Sequence, residues 1–193
     1  GEVLHAHSII ISTGASAKWL GLPAEQKLMN KGVSACAVCD GFFFKGLEVA
    51  VVGGGDTAAE EASYLAKLCP KVHLLVRKDQ MRASKIMQER VASNPAIQIH
   101  YNTETLDILG EEEVTGMKII NTVTKQISEI PIKAFFVAIG HKPNSDPFLN
   151  WLDMDEQGYI KTIPGTSKTK VPGVFASGDV QDRIYRQAVT AAG

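Results

Sequence analysis

The stretch from Val49 to Leu68 constrains the fold of this 193-residue chain more than any other. Val49-Ala50-Val51-Val52 is a continuous apolar run, the pattern of a strand buried on both faces of a parallel sheet. Gly53-Gly54-Gly55-Asp56-Thr57-Ala58 follows at once. Apolar residues then recur with helical spacing at Ala58, Ala59, Ala62, Leu65, Ala66 and Leu68, and Pro70 lies just beyond. Val72-His73-Leu74-Leu75-Val76 reads as the next strand, which completes one βαβ unit. Gly53, Gly55 and Ala58 form a GxGxxA pattern. The first glycine permits a tight turn, the second lets backbone approach a pyrophosphate, and the small third residue packs helix on strand. The helix start presents free N–H groups and a partial positive charge to the phosphates. A glycine loop without a ligand is the plainer reading, but a strand before it and a helix after it favour a dinucleotide site.

The end of the second strand discriminates between cofactors. An acidic residue there would bind ribose hydroxyls. This chain has Arg77 and Lys78, with Arg82 nearby. These cations suit a 2′-phosphate, since Arg binds it bidentately and Lys as a point charge, so NADP(H) is expected. The competing reading is a solvated basic cluster around Asp79.

Cys36-Ala37-Val38-Cys39-Asp40-Gly41 precedes the first strand of this unit. A CxxC can be a redox pair with a lowered thiolate pKa, half of a zinc site, or a structural disulfide. A loop this small restrains little unfolded-chain entropy, which disfavours the structural reading. Zinc needs four ligands; Cys69 is distant and no second CxxC or HxxxH exists, so no metal is expected. Redox exchange remains, with Asp40 as proton carrier or, more plainly, as a turn carboxylate. Cys69 is expected to pack as a small apolar residue. His5 and His7 share one face of an expected strand, a surface arrangement, and the five histidines show no ligand spacing.

Three cysteines in a chain of this length do not make a disulfide scaffold and fit a reducing, cytoplasmic compartment. The net charge of −1 implies no nucleic-acid partner, and no apolar run approaches the roughly 20 residues of a membrane span. No signal peptide is visible. Residues 3–11 read as strand, stopped by Gly14, and Gly21-Leu22-Pro23 is expected to break any helix between 16 and 32. Ala83 to Ala92 reads as helix. Four β-rich runs (97–101, 104–109, 114–123 and 127–132) are expected to form a small antiparallel insertion. Phe135 to Gly140 and Gly173 to Asp179 read as two more buried strands, each reaching a turn glycine (Gly140, Gly178), with 141–146 as a linker. Gly178-Asp179 has the form of a nucleotide-contact turn, though Gly-Asp is a common turn pair. Gly1 is not an initiator Met and 186–193 reads as a helix start without a stop, so the chain is expected to be a fragment cut at both ends.

Taken together, Ser12 to Ala15, Cys36 to Gly41, Gly53 to Ala62, His73 to Lys78, Phe136 to Asn144, Ser177 to Val180 and Arg186 to Gly193 resemble the low-molecular-weight thioredoxin reductases, in that family's order across essentially the whole chain. The resemblance implies an α/β fold: a Rossmann-like, doubly wound NADPH domain with a parallel sheet and a small antiparallel sheet, inserted in an FAD domain. It places the NADP(H) domain with its CxxC at 18–145, and pieces of the FAD domain at 1–17 and 146–193. Gly53, Gly54, Gly55, Asp56, Thr57 and Ala58 would then bind the pyrophosphate, with Glu60 toward the nicotinamide and Gly140 also among the cofactor-binding residues. Arg77, Lys78 and Arg82 would hold the 2′-phosphate. Asp179 would bind the ribityl–phosphate part of FAD, with Arg186, Gln187 and Ala188 near the isoalloxazine. Cys36, Cys39 and Asp40 would be catalytic, Cys39 nearer the flavin. Electrons would pass from NADPH through FAD to the Cys36–Cys39 disulfide and on to thioredoxin, in a homodimer whose domains rotate about 15–18 and 142–145. The chain departs from the family at Val76, where many members have His, and at Lys78, where a second Arg is frequent; positive charge is kept. No N-terminal GxGxxG for FAD is present. The alternatives are an NADP(H)-binding module without turnover and the reductase partner of a peroxiredoxin.

Overall fold

A computed structural model of the chain describes residues 2–192. Gly1 and Gly193, which carried part of the expectations above, lie outside the described residues. The chain divides into two compact units, residues 18–140 and residues 1–17 with 141–193.

In the first unit, five strands form a parallel sheet: β3 (Val33–Ser34), β4 (Glu48–Val52), β5 (Lys71–Leu75), β6 (Ile97–His100) and β10 (Ala134–Val137), in the order β3-β10-β4-β5-β6. Alternate residues of a strand face opposite sides. Here both sides are covered. Val49, Val51, Leu74 and Phe136 pack against Ala58, Ala59, Ala62 and Leu65 of α3 (Asp56–Leu65) and Met87 and Val91 of α4 (Lys85–Ala92). Ala50, Val52, Leu75 and Phe135 pack against Ile108, Met117 and Ile119 of a three-stranded antiparallel sheet, β7 (Thr103–Leu109), β8 (Gly116–Asn121) and β9 (Ile127–Pro131). Each Val, Leu, Ile, Met or Phe among them contributes about 1.5–3 kcal/mol by leaving water, which is why the strands read as unbroken apolar runs.

Three expectations are corrected. The run at 97–101 is not part of the antiparallel insertion: Val72 to Leu75 pair in parallel with Ile97 to His100, because α4 carries the chain back across the sheet before β6 begins. A helix does form at Pro23, α1 (Pro23–Lys27). Proline suits the first turn of a helix, and the buried Glu25 carboxylate accepts the N–H groups of Leu20, Gly21 and Leu22 at 2.9, 2.7 and 2.9 Å. Residues 3–8 are not strand; β1 is Ile9–Ile11, so His5 and His7 share no strand face.

The second face of the sheet holds a polar pair, His73 buried and His100 half-buried. His73, 2% exposed, brings Nδ1 to 3.0 Å from His100 Nε2, and its own Nε2 lies 3.4 Å from Glu48 Oε2. Donation from His73 Nε2–H to Glu48 leaves Nδ1 to accept from His100 Nε2–H. Burial pushes the His73 pKa down, with Lys71 adding to it and Glu48 opposing it. Burial, His73 and Lys71 bring His100 down to about 4.

In the second unit β1 pairs in parallel with β12 (Val174–Ala176) over a core of Ile11, Leu152, Ile160, Ala176 and Val180. The expected linker at 141–146 contains β11 (His141–Pro143), which pairs antiparallel with β2 (Ala15–Ala17). Asn144 closes this ribbon: its N–H donates to Gly14 O, its Nδ2 to Thr13 O, and its Oδ1 and O accept from the hydroxyls of Ser16 and Thr13. Residues 141–145 therefore belong with 1–17, and the boundary expected at 145 lies at Gly140. The segments expected to act as hinges are largely bonded into the ribbon.

Candidate active site

Strand β3 ends at Ser34 and delivers the chain to Cys36, which caps the one-turn helix α2 (Ala37–Asp40). Cys36 and Cys39 are joined in a disulfide, with Cα atoms 5.3 Å apart. Cys36 Sγ also accepts the N–H of Cys39 at 3.2 Å. Cys36 is half-buried and Cys39 exposed, so the bond can be approached from solvent on the Cys39 side. Ser34, which the sequence reading passed over, joins the parts: its hydroxyl donates to Asp40 Oδ2 at 2.6 Å and accepts the Cys36 N–H at 3.0 Å. Asp40 is thus held by a hydroxyl beside the disulfide. Val38, Phe42 and Phe43 are 55%, 65% and 78% exposed around it, an apolar collar that no motif announces. Cys69 is buried and donates to Phe44 O at 3.3 Å; burial pushes its thiol pKa up, so it stays protonated and inert.

The glycine turn leaves β4 at the carboxyl edge of the sheet. Gly53 has φ 153°, and a Cβ there would lie 2.3 Å from Ala138 O and 2.8 Å from Ala58 Cβ. Strand, turn and helix meet so closely that only glycine fits. Above Gly55 the space is open: a Cβ would meet nothing within 4 Å. Gly55 caps α3 without a side-chain bond, so the helix begins with N–H groups available to a ligand. Chain order reverses here, since β5 and β6 run to one side of β4 and β10 and β3 to the other. Such a switch point at the carboxyl edge is where open α/β sheets bind nucleotides. The open cradle and the uncapped helix fit a pyrophosphate.

Arg77, Lys78 and Arg82 are exposed and join no ion pair among the described residues. Arg77 and Lys78 follow β5, and the backbone of 82–83 returns to the turn, where both N–H groups donate to Gly54 O. The Asp56 carboxylate bonds Ser84. Thr57 and Ala58 lie in the first turn of α3, Glu60 is exposed on it, and Gly140 ends the stretch after β10. The disulfide shares this edge: Ser34 and Val51 both lie abreast of Phe136, two strand spacings or about 10 Å apart. The sheet therefore brings Cys36, Cys39, Asp40 and the glycine turn to one rim.

In the other unit, Ser12, Gly14, Ser177, Asp179, Arg186 and Gln187 help to line a cavity of about 430 Å³, and Ala188 begins α5 (Ala188–Ala192) beside it. The Ser12 and Ser177 hydroxyls are 2.8 Å apart across it. Asp182, also missed in the sequence, fixes the approach. Its carboxylate accepts the N–H groups of Ile184, Tyr185 and Arg186 at 2.8, 3.2 and 3.2 Å. Burial raises the Asp182 pKa, but these donors and the Arg186 charge outweigh it and hold the carboxyl below its ordinary value. The turn puts Arg186 at φ 48° and so aims 186–188 at the cavity. An anionic site of Asp179 with cationic Arg186 suits part of a flavin nucleotide.

Comparison with known proteins gives the family and the fold. A thioredoxin reductase of Dictyostelium discoideum is 55% identical over 193 residues, covering 98% of this chain and 60% of the relative. NADPH-dependent thioredoxin reductase 3 of Arabidopsis thaliana is 53% identical over 191 residues, covering 97% of this chain and 36% of that protein. The crystal structure of thioredoxin reductase from Streptococcus pyogenes MGAS5005 superposes with a TM-score of 0.89 at 38% identity, over 96% of this chain and 61% of that one. The chain thus spans about 60% of the length of most of these relatives. The model of the pyridine nucleotide-disulphide oxidoreductases matches residues 1–193, and the chain belongs to that family.

Proposed function

We propose that this chain is part of an NADPH-dependent thioredoxin reductase, with residues 18–140 holding NADPH and the redox disulfide and the other unit holding part of an FAD site. The observation that carries the reading is the shared rim: a solvent-accessible CxxC disulfide beside a glycine turn flanked by three exposed cations. The overall change is NADPH + H⁺ + thioredoxin disulfide → NADP⁺ + thioredoxin dithiol. Arg77, Lys78 and Arg82 bind the 2′-phosphate, while the start of α3 and the open space above Gly55 receive the pyrophosphate. Bound FAD would supply the two-electron link between nicotinamide and disulfide. Two electrons and two protons convert Cys36–Cys39 to a dithiol. One thiolate then attacks the partner's disulfide, and the second sulfur resolves the mixed disulfide, so that the partner leaves reduced. Asp40, steadied by Ser34, receives and returns the thiol proton. Val38, Phe42 and Phe43 form the apolar surface on which the partner docks. A homodimer in the cytoplasm is the assembly and place we assign to the full-length enzyme; no described helix is long and apolar enough to cross a membrane.

The test is twofold. This chain should bind NADPH in calorimetry, and Arg77→Ala and Arg82→Ala should weaken it; unchanged affinity refutes the phosphate site. In the full-length enzyme, Cys36→Ser or Cys39→Ser should abolish thioredoxin reduction, and persisting activity refutes the redox role.

A further inference from the structure

The 2′-phosphate arm is bolted to the pyrophosphate turn, and the bolt is made by residues that need not touch the nucleotide. Asp56, the first residue of α3, accepts both the N–H and the Oγ–H of Ser84 on Oδ1, each at 2.8 Å. Two residues before Asp56, Gly54 O accepts the N–H groups of Arg82 at 2.6 Å and Ala83 at 3.1 Å. From α4, Gln88 Nε2 donates to Ala83 O at 2.7 Å and to Met81 O at 3.4 Å. Met81 and Ala83 are buried in the core, whereas Arg82 between them is exposed. The main chain from 81 to 84 is therefore fixed against the turn at both ends, and Arg82 is the cation that it presents.

The hydrogen bonds to Ser84 bear on the charge of Asp56. A carboxylate at a helix start favours the helix but repels an approaching phosphate. Two donors on one oxygen absorb much of its acceptor capacity and hold it toward Ser84. We propose that Asp56 and Ser84 are positioning residues that set Arg82 for the 2′-phosphate and so help to determine preference for NADPH over NADH. The proposal rests on the reading of this rim as a nicotinamide-dinucleotide site. NADH lacks the 2′-phosphate, so displacing the arm removes a contact that only NADPH makes. Damage to the glycine turn itself would weaken both cofactors alike.

The experiment is calorimetric titration of the 193-residue chain with NADPH and with NADH. Asp56→Ala removes the acceptor; NADPH affinity should fall about tenfold and NADH affinity less than threefold. Ser84→Ala keeps the backbone donor and should lose about threefold for NADPH. Asp56→Asn keeps an acceptor oxygen and should restore NADPH affinity to within about threefold of the wild type. Amide hydrogen exchange at Arg82 and Ala83 should quicken in Asp56→Ala and stay slow in Asp56→Asn. Equal loss of both nucleotides in Asp56→Ala, or no loss of NADPH, overturns the positioning role and leaves the nucleotide reading standing. Failure of the wild-type chain to bind either nucleotide overturns that reading, and the positioning role with it. Should Asp56→Ala fail to fold, Ser84→Ala and Asp56→Asn carry the same comparison: loss in the first and retention in the second support the role, and the reverse refutes it.

Discussion

Mild acid should loosen the sheet through the His73–His100 pair. Both rings have pKa values lowered by burial, so the folded chain prefers them neutral. A group whose folded value lies below its unfolded one stabilises the fold fully above the unfolded value, here 6.5. That stability drains away as the pH falls from 6.5 toward the folded value of about 4. At about 1.4 kcal/mol for each pH unit between the two values, His100 alone corresponds to about 3 kcal/mol. Its ring keeps some contact with water, so about 2 kcal/mol is the expected loss between pH 7 and pH 4. Lys71 adds repulsion once a ring is charged, and Glu48 offers only partial relief at 3.4 Å. The assay is urea unfolding of the wild type and His100→Gln at closely spaced pH values from 7.5 to 4, with histidine titrations followed by NMR. Glutamine can still donate to His73 Nδ1 but does not titrate. The wild type should lose stability over this window, and the variant should lose at least about 1 kcal/mol less. Parallel pH profiles, or a His100 that titrates near 6.5, would refute the reasoning.

Two other outcomes follow from geometry. Gly53→Ala puts a methyl group 2.3 Å from Ala138 O, so the turn must move; a loss of about 2–4 kcal/mol in thermal unfolding is expected, together with weaker NADPH binding. A melting temperature like that of the wild type would show that the turn tolerates the shift. Phe42→Ser combined with Phe43→Ser should change stability by less than about 1 kcal/mol, because both rings are exposed. In the full-length enzyme the same pair should raise the KM for thioredoxin several-fold while leaving reduction of a small-molecule disulfide nearly unchanged; equal effects on both substrates would remove the collar as a docking surface.

What the sequence discloses depends on how local the cause is. The run Val49 to Val52 and the turn that follows declare themselves, since burial on two faces and a backbone that tolerates no Cβ leave marks on adjacent residues. The cysteine pair does the same by spacing. Parallel pairing of Ile97 to His100 does not, because a strand with mixed polarity reads alike at a parallel edge and in an antiparallel sheet. The partnership of Asp56 with Ser84, of His73 with His100 and of Ser34 with Asp40 is decided by how distant segments are brought together, and none of these residues looks unusual alone. Glu25 and Asp182 come closest to being legible. Each serves nearby backbone N–H groups, so a carboxylate beside a Gly-Leu-Pro turn or at the head of a loop was the available signal.

The boundary at Lys18 and Gly140 has a consequence for how the chain reaches its native state. Lys18 N–H donates to Gly140 O at 3.0 Å, so the inserted unit begins and ends at one hydrogen bond. Residues 1–17 and 141–193 must find each other to form the β1–β12 and β2–β11 pairs. Across an unfolded loop on the order of 120 residues, bringing the ends together costs about 4 kcal/mol in chain entropy. Once the inserted unit has folded, that distance has already collapsed, and the flanking segments meet as though they were neighbours in sequence. Folding of residues 18–140 would thus spare the flanking segments that cost, and a lesion such as Gly53→Ala should slow the assembly of strands that contain none of the altered residues.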